Sequence, residues 1–363
     1  MRKLRVAVCG TTFGQFYCEA LLALKDQFQF VGILANGSER SRNCAKNYNV
    51  RLFQSVKELE GEADLVCVVV RSSVLGGKGS KIAMELMDMG IHVIQEQPVH
   101  YKEIQACVQT SKKNHVMYYV GDLYKNLSSA RKFIKAANLI LQGSKPIYID
   151  AGAASQVLFP LMEILSEALN GLRPVIFKKT DRESGPFHVV TADIQGIPVI
   201  FQVHNEVNPA EPDNYMHYLH RITIGTVNGR LCLDDINGSV CWYNRIHFPL
   251  DTELRSCFSG QWPEELTNPC SIELKGFQQN IFGEVFRKDW IGAIADDLIK
   301  FSAMMSDQAV KQNLYYARLI ASARIWHDFT ECLGYPELAA PEPGGNTDFK
   351  AVREAADRTD NKE

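Results

Sequence analysis

The sequence lacks a dominant charge of either sign and any long apolar run. Its 39 lysines and arginines nearly balance 42 aspartates and glutamates, which gives a net charge of −3. A nearly neutral chain gives no indication of nucleic-acid or membrane binding. No apolar stretch approaches the ~20 residues that a membrane-spanning helix needs, and the basic start, residues 1–5, carries no signal-peptide pattern. We therefore expect a cytoplasmic protein that binds a small molecule.

Paired cysteine motifs are also missing. The ten cysteines stand singly, without a C-x-x-C spacing. The one close histidine pair, His217 and His220, has no cysteine or carboxylate at a recognisable ligand spacing. We interpret most of the cysteines as small core residues in a reducing compartment and expect no metal site.

The first third of the chain alternates short apolar strands with helical patterns. Five strands with helices between them, within about 120 residues, predict a doubly wound parallel sheet. We assign residues 1–122 to this α/β Rossmann domain. The predicted strands are residues 4–9, 28–35, 64–70, the stretch 93–100, and 116–120.

From residue 128 onwards the pattern changes to strands that follow one another without helices between them. Asn228-Gly229 is a strong hairpin signal between the last two of these strands. Such an order predicts an α+β domain on an open, mainly antiparallel sheet, which we place at residues 123–340. The polar tail, 341–363, is expected to be disordered or loosely docked. The predicted strands are 187–194, 198–207, 221–224 and 230–234, and the predicted helices are 129–142, 155–170 and 307–333.

A glycine turn follows the first strand. Against the dinucleotide fingerprint G-x-G-x-x-G it lacks the second glycine, which is Thr12 here. Backbone N–H groups and the helix N-terminus at such a turn can bind a pyrophosphate. The alternative is a plain tight turn between strand and helix. The pyrophosphate-binding residues predicted here are Gly10, Thr11, Thr12, Phe13 and Gly14.

The three residues directly after the second strand, 36–38, include no acid and Glu39 comes only after them, whereas an NAD-preferring site places an acid at the strand end for the ribose 2′-hydroxyl. Small and hydroxyl residues and two arginines stand in its place. Arginine binds a phosphate through two parallel hydrogen bonds, and serine can donate another. We therefore predict NADP(H) rather than NAD; alternatively, the arginines begin the next helix as solvated charges. The predicted ligands are Asn36, Gly37, Ser38, Arg40, Ser41 and Arg42.

Two more strand ends deliver polar groups to the same edge of the predicted sheet. The third strand runs into a glycine-rich polar loop, and the fourth ends in a Glu-x-Pro and a histidine. Open α/β sheets bind ligands at the carboxyl ends of their strands. The cofactor-binding residues predicted at these two ends are Arg71, Ser72, Ser73, Gly76, Gly77, Glu96, Gln97 and Pro98.

A Rossmann half, a Glu-x-Pro strand end and an antiparallel C-terminal sheet together resemble the glucose-fructose oxidoreductase and inositol dehydrogenase superfamily. That family usually has a lysine where Gln97 stands, and the lysine orients substrate and moves the hydroxyl proton. Its alcohol dehydrogenases also carry an Asp-x-x-x-His-like pair, which the matching stretch 159–164 lacks. Because a neutral amide cannot act as the base for alcohol oxidation, the resemblance disfavours a polyol dehydrogenase.

Within this superfamily the chain is more similar to the thiazolinyl imine reductases of yersiniabactin-type and pyochelin-type siderophore assembly. The resemblance is dense over residues 5–126 and thin afterwards. It implies that NADPH reduces a thiazoline C=N bond to a thiazolidine while the substrate hangs as a thioester from a carrier domain of a nonribosomal peptide synthetase. It also implies an open cleft and a homodimer formed through the C-terminal sheet. The segments that carry it are 10–14, 34–42, 69–79 and 92–100.

Imine reduction needs a hydride and one proton donor rather than a metal. His100 is the first predicted donor, since an imidazole with a pKa near ~6.5 is partly protonated at neutral pH. Tyr124 is the second. Each could instead have a structural role, and water could supply the proton. We expect Glu96 to fix the loop geometry and Pro98 to shape the turn near the nicotinamide, with a cis bond left open.

Two other functions remain open at this point. One is a sugar or polyol oxidoreductase of the same superfamily, and the other is a non-catalytic regulator that binds NADPH.

Overall fold

The computed structural model describes residues 2–72, 76–248, 258, 260, 262, 264–276, 281–305, 309–340, 345 and 347–358. Two large β-sheets organise these residues, one with six strands and one with eight. A two-stranded ladder forms a third, small sheet. No helix among the described residues is both long and apolar enough to cross a membrane.

The first sheet is parallel and has the strand order β3-β2-β1-β4-β5-β6. Its central strand β4 is buried along its whole length, as expected for a parallel strand with helices on both faces. The predicted doubly wound sheet is confirmed. The strands are β1 Leu4–Cys9, β2 Phe28–Leu34, β3 Arg51–Phe53, β4 Leu65–Val68, β5 His92–Glu96 and β6 Tyr118–Gly121.

Four helices connect these strands and cover the sheet. The second of them begins where the Ser38 hydroxyl oxygen accepts a hydrogen bond from the Ser41 N–H at 3.3 Å, an N-cap that fixes the chain direction after β2. The helices are α1 Gly14–Ala23, α2 Glu39–Asn47, α3 Gly79–Asp88 and α4 Tyr101–Lys113, with a 3₁₀ turn at Val56–Leu59.

The second large sheet has the order β15-β14-β13-β12-β7-β10-β9-β8. Only the pairing of β7 with β10 is parallel, so the predicted open, mainly antiparallel sheet is confirmed. Val199 and Phe201 of β10 are buried while Ile200 between them is half exposed, which shows that helices cover one face only. The strands are β7 Pro146–Ala154, β8 Val175–Ser184, β9 Phe187–Ile194, β10 Ile197–His204, β12 His220–Thr226, β13 Gly229–Leu233, β14 Val240–Asn244 and β15 Ser271–Lys275, while β11 Glu206–Val207 and β16 Glu337–Leu338 form the small ladder.

The helices of the second half join the two sheets. Helix α8 packs against α1 of the Rossmann domain as well as against α5, and the long helix α9 contacts both α4 and α7. In the described part of the tail, all residues of the helix α10 are exposed. The helices are α5 Leu123–Asn126, α6 Ser128–Gly143, α7 Leu158–Ala168, α8 Ile291–Met305, α9 Ala309–Leu333 and α10 Phe349–Asp357, with a 3₁₀ turn at Ser155–Val157, one-turn helices at Glu264–Thr267 and Phe282–Glu284, and a π-helical segment at Val285–Trp290.

Candidate active site

A groove of about 820 Å³ lies at the carboxyl ends of β1, β2 and β4. It is lined by the predicted glycine turn, by Asn36 and by Arg71, and also by Asp213 from the second half of the chain. Dinucleotides bind at this position in a doubly wound sheet. The structure therefore brings three of the predicted cofactor-binding segments together.

Gly10 is the residue that shapes the glycine turn. Its φ is +116°, and a Cβ atom built there would lie 2.4 Å from the Val69 carbonyl oxygen. Its N–H donates to the Leu34 carbonyl at 3.2 Å. The turn thus passes between the ends of β2 and β4, where only glycine fits. Gly14 begins α1 and Phe13 packs on it, while Thr12 is exposed.

The segment after β2 lies across from this turn. The Arg40 guanidinium donates to the Thr11 carbonyl at 3.1 Å, and Arg42 donates to the Gly37 carbonyl. Both arginines are exposed and have N–H groups left for an anion. Ser41, by contrast, is buried, and its hydroxyl donates to the Ser38 carbonyl at 2.8 Å, so its observed place is the start of α2.

The loop after β4 is joined to the loop after β5. The buried Ser72 hydroxyl donates to the Pro98 carbonyl at 2.7 Å. Gly77 passes so close to Arg71 that a Cβ atom there would lie 1.9 Å from the Arg71 carbonyl oxygen. Gly76 has a φ of +74°. Ser73 lies outside the described residues.

Glu96 and Pro98 shape the end of β5. The Tyr17 hydroxyl of α1 donates to the Glu96 carboxyl. Burial, the largest cause, raises the pKa of Glu96 to about 8. The Gln97–Pro98 peptide bond is cis. Glu96 therefore holds the strand end against α1, while its contact with the cofactor stays a prediction.

Gln97 contacts a residue that the sequence did not indicate as functional. Its Nε2 donates to Asp122 Oδ1 at 3.3 Å. Asp122 follows β6, is only 2% exposed, and burial raises the pKa of its carboxyl to about 7. Gln97 Oε1 and Asp122 Oδ2 are buried and find no hydrogen-bond partner among the described residues.

Asp122 also belongs to a network at the junction of the two halves. Its N–H donates to Asp297 Oδ2 of α8 at 2.8 Å. Asp297 Oδ1 accepts from the Tyr119 hydroxyl at 2.9 Å and from Asn126 Nδ2 at 2.7 Å. Burial raises the pKa of Asp297. These contacts fix β6 and the short helix α5 to α8.

Glu163, which lies in the stretch 159–164 discussed above, belongs to an ion pair. Lys125 Nζ lies 3.1 Å from Glu163 Oε2 and 3.3 Å from Glu167 Oε1. The side chains of Lys125 and Glu163 are 11% and 12% exposed. Since both charges are paired with each other, neither is free to act as the base of an alcohol oxidation.

The two predicted proton donors have different neighbours. His100 caps α4, with its Nδ1 accepting from the Lys102 N–H at 3.2 Å, and its ring lies 5.0 Å from that of His327. Burial first, then His327 and Lys102, lower the pKa of His100. The cap therefore favours the neutral imidazole.

Tyr124 is half-buried at the start of α5. Its ring meets that of His220 edge-on at 5.1 Å. Burial, with further contributions from Glu96 and Asp213, raises its pKa well above its ordinary value. Tyr124 therefore keeps its proton and can donate a hydrogen bond. His220 Nε2 lies 2.9 Å from the Val157 carbonyl oxygen, and burial lowers its pKa to about 4.

An aromatic cluster links the glycine turn to Tyr124. Trp290 lies 5.9 Å from Phe13, 5.3 Å from Phe16 and 6.3 Å from Tyr124, measured between ring centroids. Trp290 comes directly before α8 in the chain and belongs to no motif that the sequence analysis identified. Phe13 lines the groove, so a side chain from the second half of the chain packs against the groove wall.

Two family matches agree with this arrangement. Residues 4–122 match the Gfo/Idh/MocA oxidoreductase family with its NAD-binding Rossmann fold, and residues 144–243 match the C-terminal domain of the Irp3-like thiazolinyl imine reductases. The chain is therefore a Gfo/Idh/MocA Rossmann oxidoreductase with an Irp3-like thiazolinyl imine reductase C-terminal domain. The family predicted from the sequence is confirmed.

A curated relative is the UDP-N-acetylglucosamine 3-dehydrogenase of Acidithiobacillus ferrooxidans. It is 25% identical over 154 residues, which cover 42% of this chain and 45% of the relative, so the chain matches less than half the length of that protein. A solved structure of the same dehydrogenase superimposes with a TM-score of 0.62 at 16% identity, covering 92% of this chain and 97% of the other.

Two further solved structures share the fold. GenD2 from gentamicin A biosynthesis, in complex with NAD, has a TM-score of 0.63 at 11% identity and covers 92% of this chain and 95% of its own. The biliverdin reductase of Synechocystis sp. PCC 6803, with biliverdin and NADP⁺, has a TM-score of 0.60 at 13% identity and covers 92% and 99%. The chain is thus an NAD(P)-dependent oxidoreductase by family, and these structures hold either dinucleotide.

Proposed function

We propose that this protein uses NADPH to reduce the C=N bond of a thiazoline to a thiazolidine on a carrier-tethered siderophore intermediate. The observation that carries the proposal is the match of residues 144–243 to the thiazolinyl imine reductase C-terminal domain. The substrate-side domain of a Gfo/Idh/MocA enzyme is the part that differs between chemistries, because function resides in sites grafted on a shared fold.

The composition of the site supports reduction of an imine. Oxidation of an alcohol needs a base beside the hydroxyl, and this site has the neutral amide of Gln97 and the paired Lys125 and Glu163 instead. Reduction of C=N needs a proton donor beside the hydride acceptor. Two carboxyls with raised pKa values, Glu96 and Asp122, lie at the carboxyl ends of β5 and β6, the edge of the sheet where ligands bind.

NADPH is the proposed cofactor because Arg40 and Arg42 are exposed beside the groove and the residues directly after β2, 35–38, include no carboxylate. The Arg40→Ala variant is expected to raise the KM for NADPH by about tenfold, through loss of a charge-assisted contact to the 2′-phosphate, and to leave that for NADH unchanged. Lys3→Ala, at the exposed residue just before β1 and at the opposite end of that strand from the groove, is the matched control. An equal effect on both cofactors would contradict the assignment.

The proposal includes two partners. The substrate is presented by a carrier domain of a nonribosomal peptide synthetase, which an open groove admits. A second copy of the chain covers the helix-free face of the larger sheet, where Ile176 and Ile200 are 60% and 50% exposed. Light scattering in solution tests the dimer. We also propose a cytoplasmic location, where the cysteines that the structure shows as free stay reduced.

The test is NADPH consumption with a thiazoline thioester analogue, followed by mass spectrometry of the product. The corresponding thiazolidine, which has no C=N bond, is the control substrate. We expect NADPH consumption with the thiazoline and none with the thiazolidine. A protein that binds NADPH and leaves every thiazoline unreduced contradicts the proposal.

A sugar-nucleotide oxidoreductase is the second candidate, because the curated relative is a UDP-N-acetylglucosamine 3-dehydrogenase. It predicts that UDP-N-acetylglucosamine reduces NAD⁺ or NADP⁺ in the presence of this protein. A regulator that only binds NADPH is the third. The double variant His100→Ala, Tyr124→Phe then changes cofactor affinity alone, whereas in an enzyme in which either side chain contributes to catalysis it changes turnover.

A further inference from the structure

Asp122 lies between the two halves of the protein with one carboxyl oxygen engaged and one without a partner. Its Oδ1 accepts from Gln97 Nε2 and from the Lys125 N–H, both at 3.3 Å. Its Oδ2 is buried and has no partner among the described residues. Gln97 Oε1, which belongs to the same amide that donates to Asp122, is also unpartnered. Each of the two side chains joined by the Gln97–Asp122 hydrogen bond thus has one buried acceptor oxygen without a donor.

A proton on Asp122 is the simplest way to satisfy this arrangement. A buried carboxylate needs donors on both oxygens, and a buried acceptor without a donor is costly. A carboxylic acid supplies its own donor. The positive charge nearest to it, Lys125, is already paired with Glu163 and Glu167. The other titratable groups around Asp122 are mainly acids and phenols: Glu96 of β5, Tyr119 of β6, Tyr124 of α5, Glu163 of α7 and Asp297 of α8. A second lysine, Lys300 of α8, donates to Asn126 and acts on Asp297.

The other titratable groups at the strand ends are less suited to giving a proton to the substrate. Burial raises the pKa of Tyr124 well above its ordinary value, which makes it a weaker acid than Asp122. His100 favours its neutral form and uses Nδ1 to cap α4. Glu96 accepts from Tyr17 and faces α1. Asp122, with a pKa of about 7, is populated as an acid at neutral pH and can still give up the proton.

We propose that Asp122 is the source of the proton in the reduction, with Gln97 orienting its carboxyl through their hydrogen bond. This inference rests on the proposed imine reduction. The imine carbon gains a hydride from NADPH, which becomes NADP⁺, while the pair of electrons of the C=N π bond takes the proton from Asp122. The product is an amine, and Asp122 is left as a carboxylate that water protonates again.

The test is the Asp122→Asn variant, assayed for thiazoline reduction across pH. The amide is isosteric and can still accept from the Lys125 N–H, but it has no acid proton to give. We expect kcat to fall by about 10²-fold with the KM for NADPH unchanged. The wild-type kcat is expected to decline as pH rises through about 7, since the acid form is lost there, whereas the residual activity of the variant lacks this decline. Asp235→Asn, at the turn before β14, is the matched control, with wild-type kcat expected.

Two results overturn the inference. One is a kcat of Asp122→Asn within threefold of wild type with the same pH profile. The other is an infrared difference spectrum, wild type minus variant, that shows no protonated carboxyl band at pH 6 in the NADPH complex. The spectrum separates this inference from the proposed function, because it reports the proton on Asp122 without turnover. A wild type that reduces no thiazoline contradicts the proposed function, and the inference falls with it.

Discussion

Removing the Asp297 carboxyl should destabilise the protein more than any other single change in its polar junction. Three donors depend on it: the Asp122 N–H at 2.8 Å, the Tyr119 hydroxyl at 2.9 Å and Asn126 Nδ2 at 2.7 Å. Each buried donor left without an acceptor costs about 1–3 kcal/mol, so the gross loss is about 3–9 kcal/mol. Water entering the vacated space, and relief of the repulsion with Glu96, bring the expected loss to the low end, about 3 kcal/mol.

Two further variants test whether the loss of unfolding free energy comes from these three hydrogen bonds. Asp297→Asn keeps Oδ1 as the acceptor for Tyr119 and Asn126 but turns an NH₂ group towards the Asp122 N–H, so one donor is lost at about 1–2 kcal/mol. Asp296→Ala removes the neighbouring carboxyl on the same helix, which pairs with Arg131 at the surface. An exposed ion pair of this kind contributes about 0–1 kcal/mol.

Urea unfolding followed by tryptophan fluorescence and by far-ultraviolet circular dichroism measures the three variants, with the slope of each transition as a check on the change in exposed surface. The expected order of destabilisation is Asp297→Ala, then Asp297→Asn, then Asp296→Ala. An unfolding free energy of Asp297→Ala within ~0.5 kcal/mol of wild type would show that the three hydrogen bonds contribute little to the stability of the junction.

Three more predictions follow from the same geometry. In Gly10→Ala the new Cβ would lie 2.4 Å from the Val69 carbonyl oxygen. The variant is expected to lose about 2 kcal/mol of unfolding free energy and to bind NADPH at least ~10-fold more weakly in calorimetry. The control, Gly61→Ala, has a φ of +72° in open space and should bind NADPH as wild type does. The unfolding free energy of wild type is expected to fall as pH rises from the unfolded pKa values of Asp122 and Glu96, 3.8 and 4.5, to their folded values of about 7 and about 8, because only the folded state holds these protons in that range. The decline levels off at higher pH. Asp122→Asn should show a shallower decline, and a steeper one would refute the sign. Gln97→Lys places an ammonium beside Asp122 and is expected to move the alkaline decline of kcat to lower pH by about one unit or more, a shift that Gln97→Met should not produce.

The parallel sheet could be predicted because its strands carry continuous apolar runs, as in Leu65–Val68. Strand β3, Arg51–Phe53, has three residues and an exposed first position, so it offers no periodicity to detect. Strand β8 contains the charged run 178–183 and β7 is rich in alanine and glycine. Their pairing depends on neighbouring strands in the sheet rather than on local β propensity.

The candidate site divides in the same way. The glycine turn and the loop after β4 could be predicted because backbone geometry demands glycine within a short segment, as Gly10 and Gly77 show. Asp122 could not, since its environment comes from Gln97 and from Asp297, which is 175 residues away. Burial and unpaired oxygens are properties of the folded chain, and only the structure exposes them.

The position of helix α8 restricts how domains can be recombined between enzymes of this fold. It belongs to the C-terminal half of the sequence, yet it packs on α1 beside the cofactor groove, and Trp290 just before it contacts Phe13. A recombinant that joined residues 1–122 to a foreign substrate domain would leave α1 uncovered unless the incoming partner brought an equivalent helix. The structural unit to keep together is therefore the Rossmann sheet with α8. A chimera that keeps residues 281–305 with the first half is expected to fold, whereas one that replaces them is not.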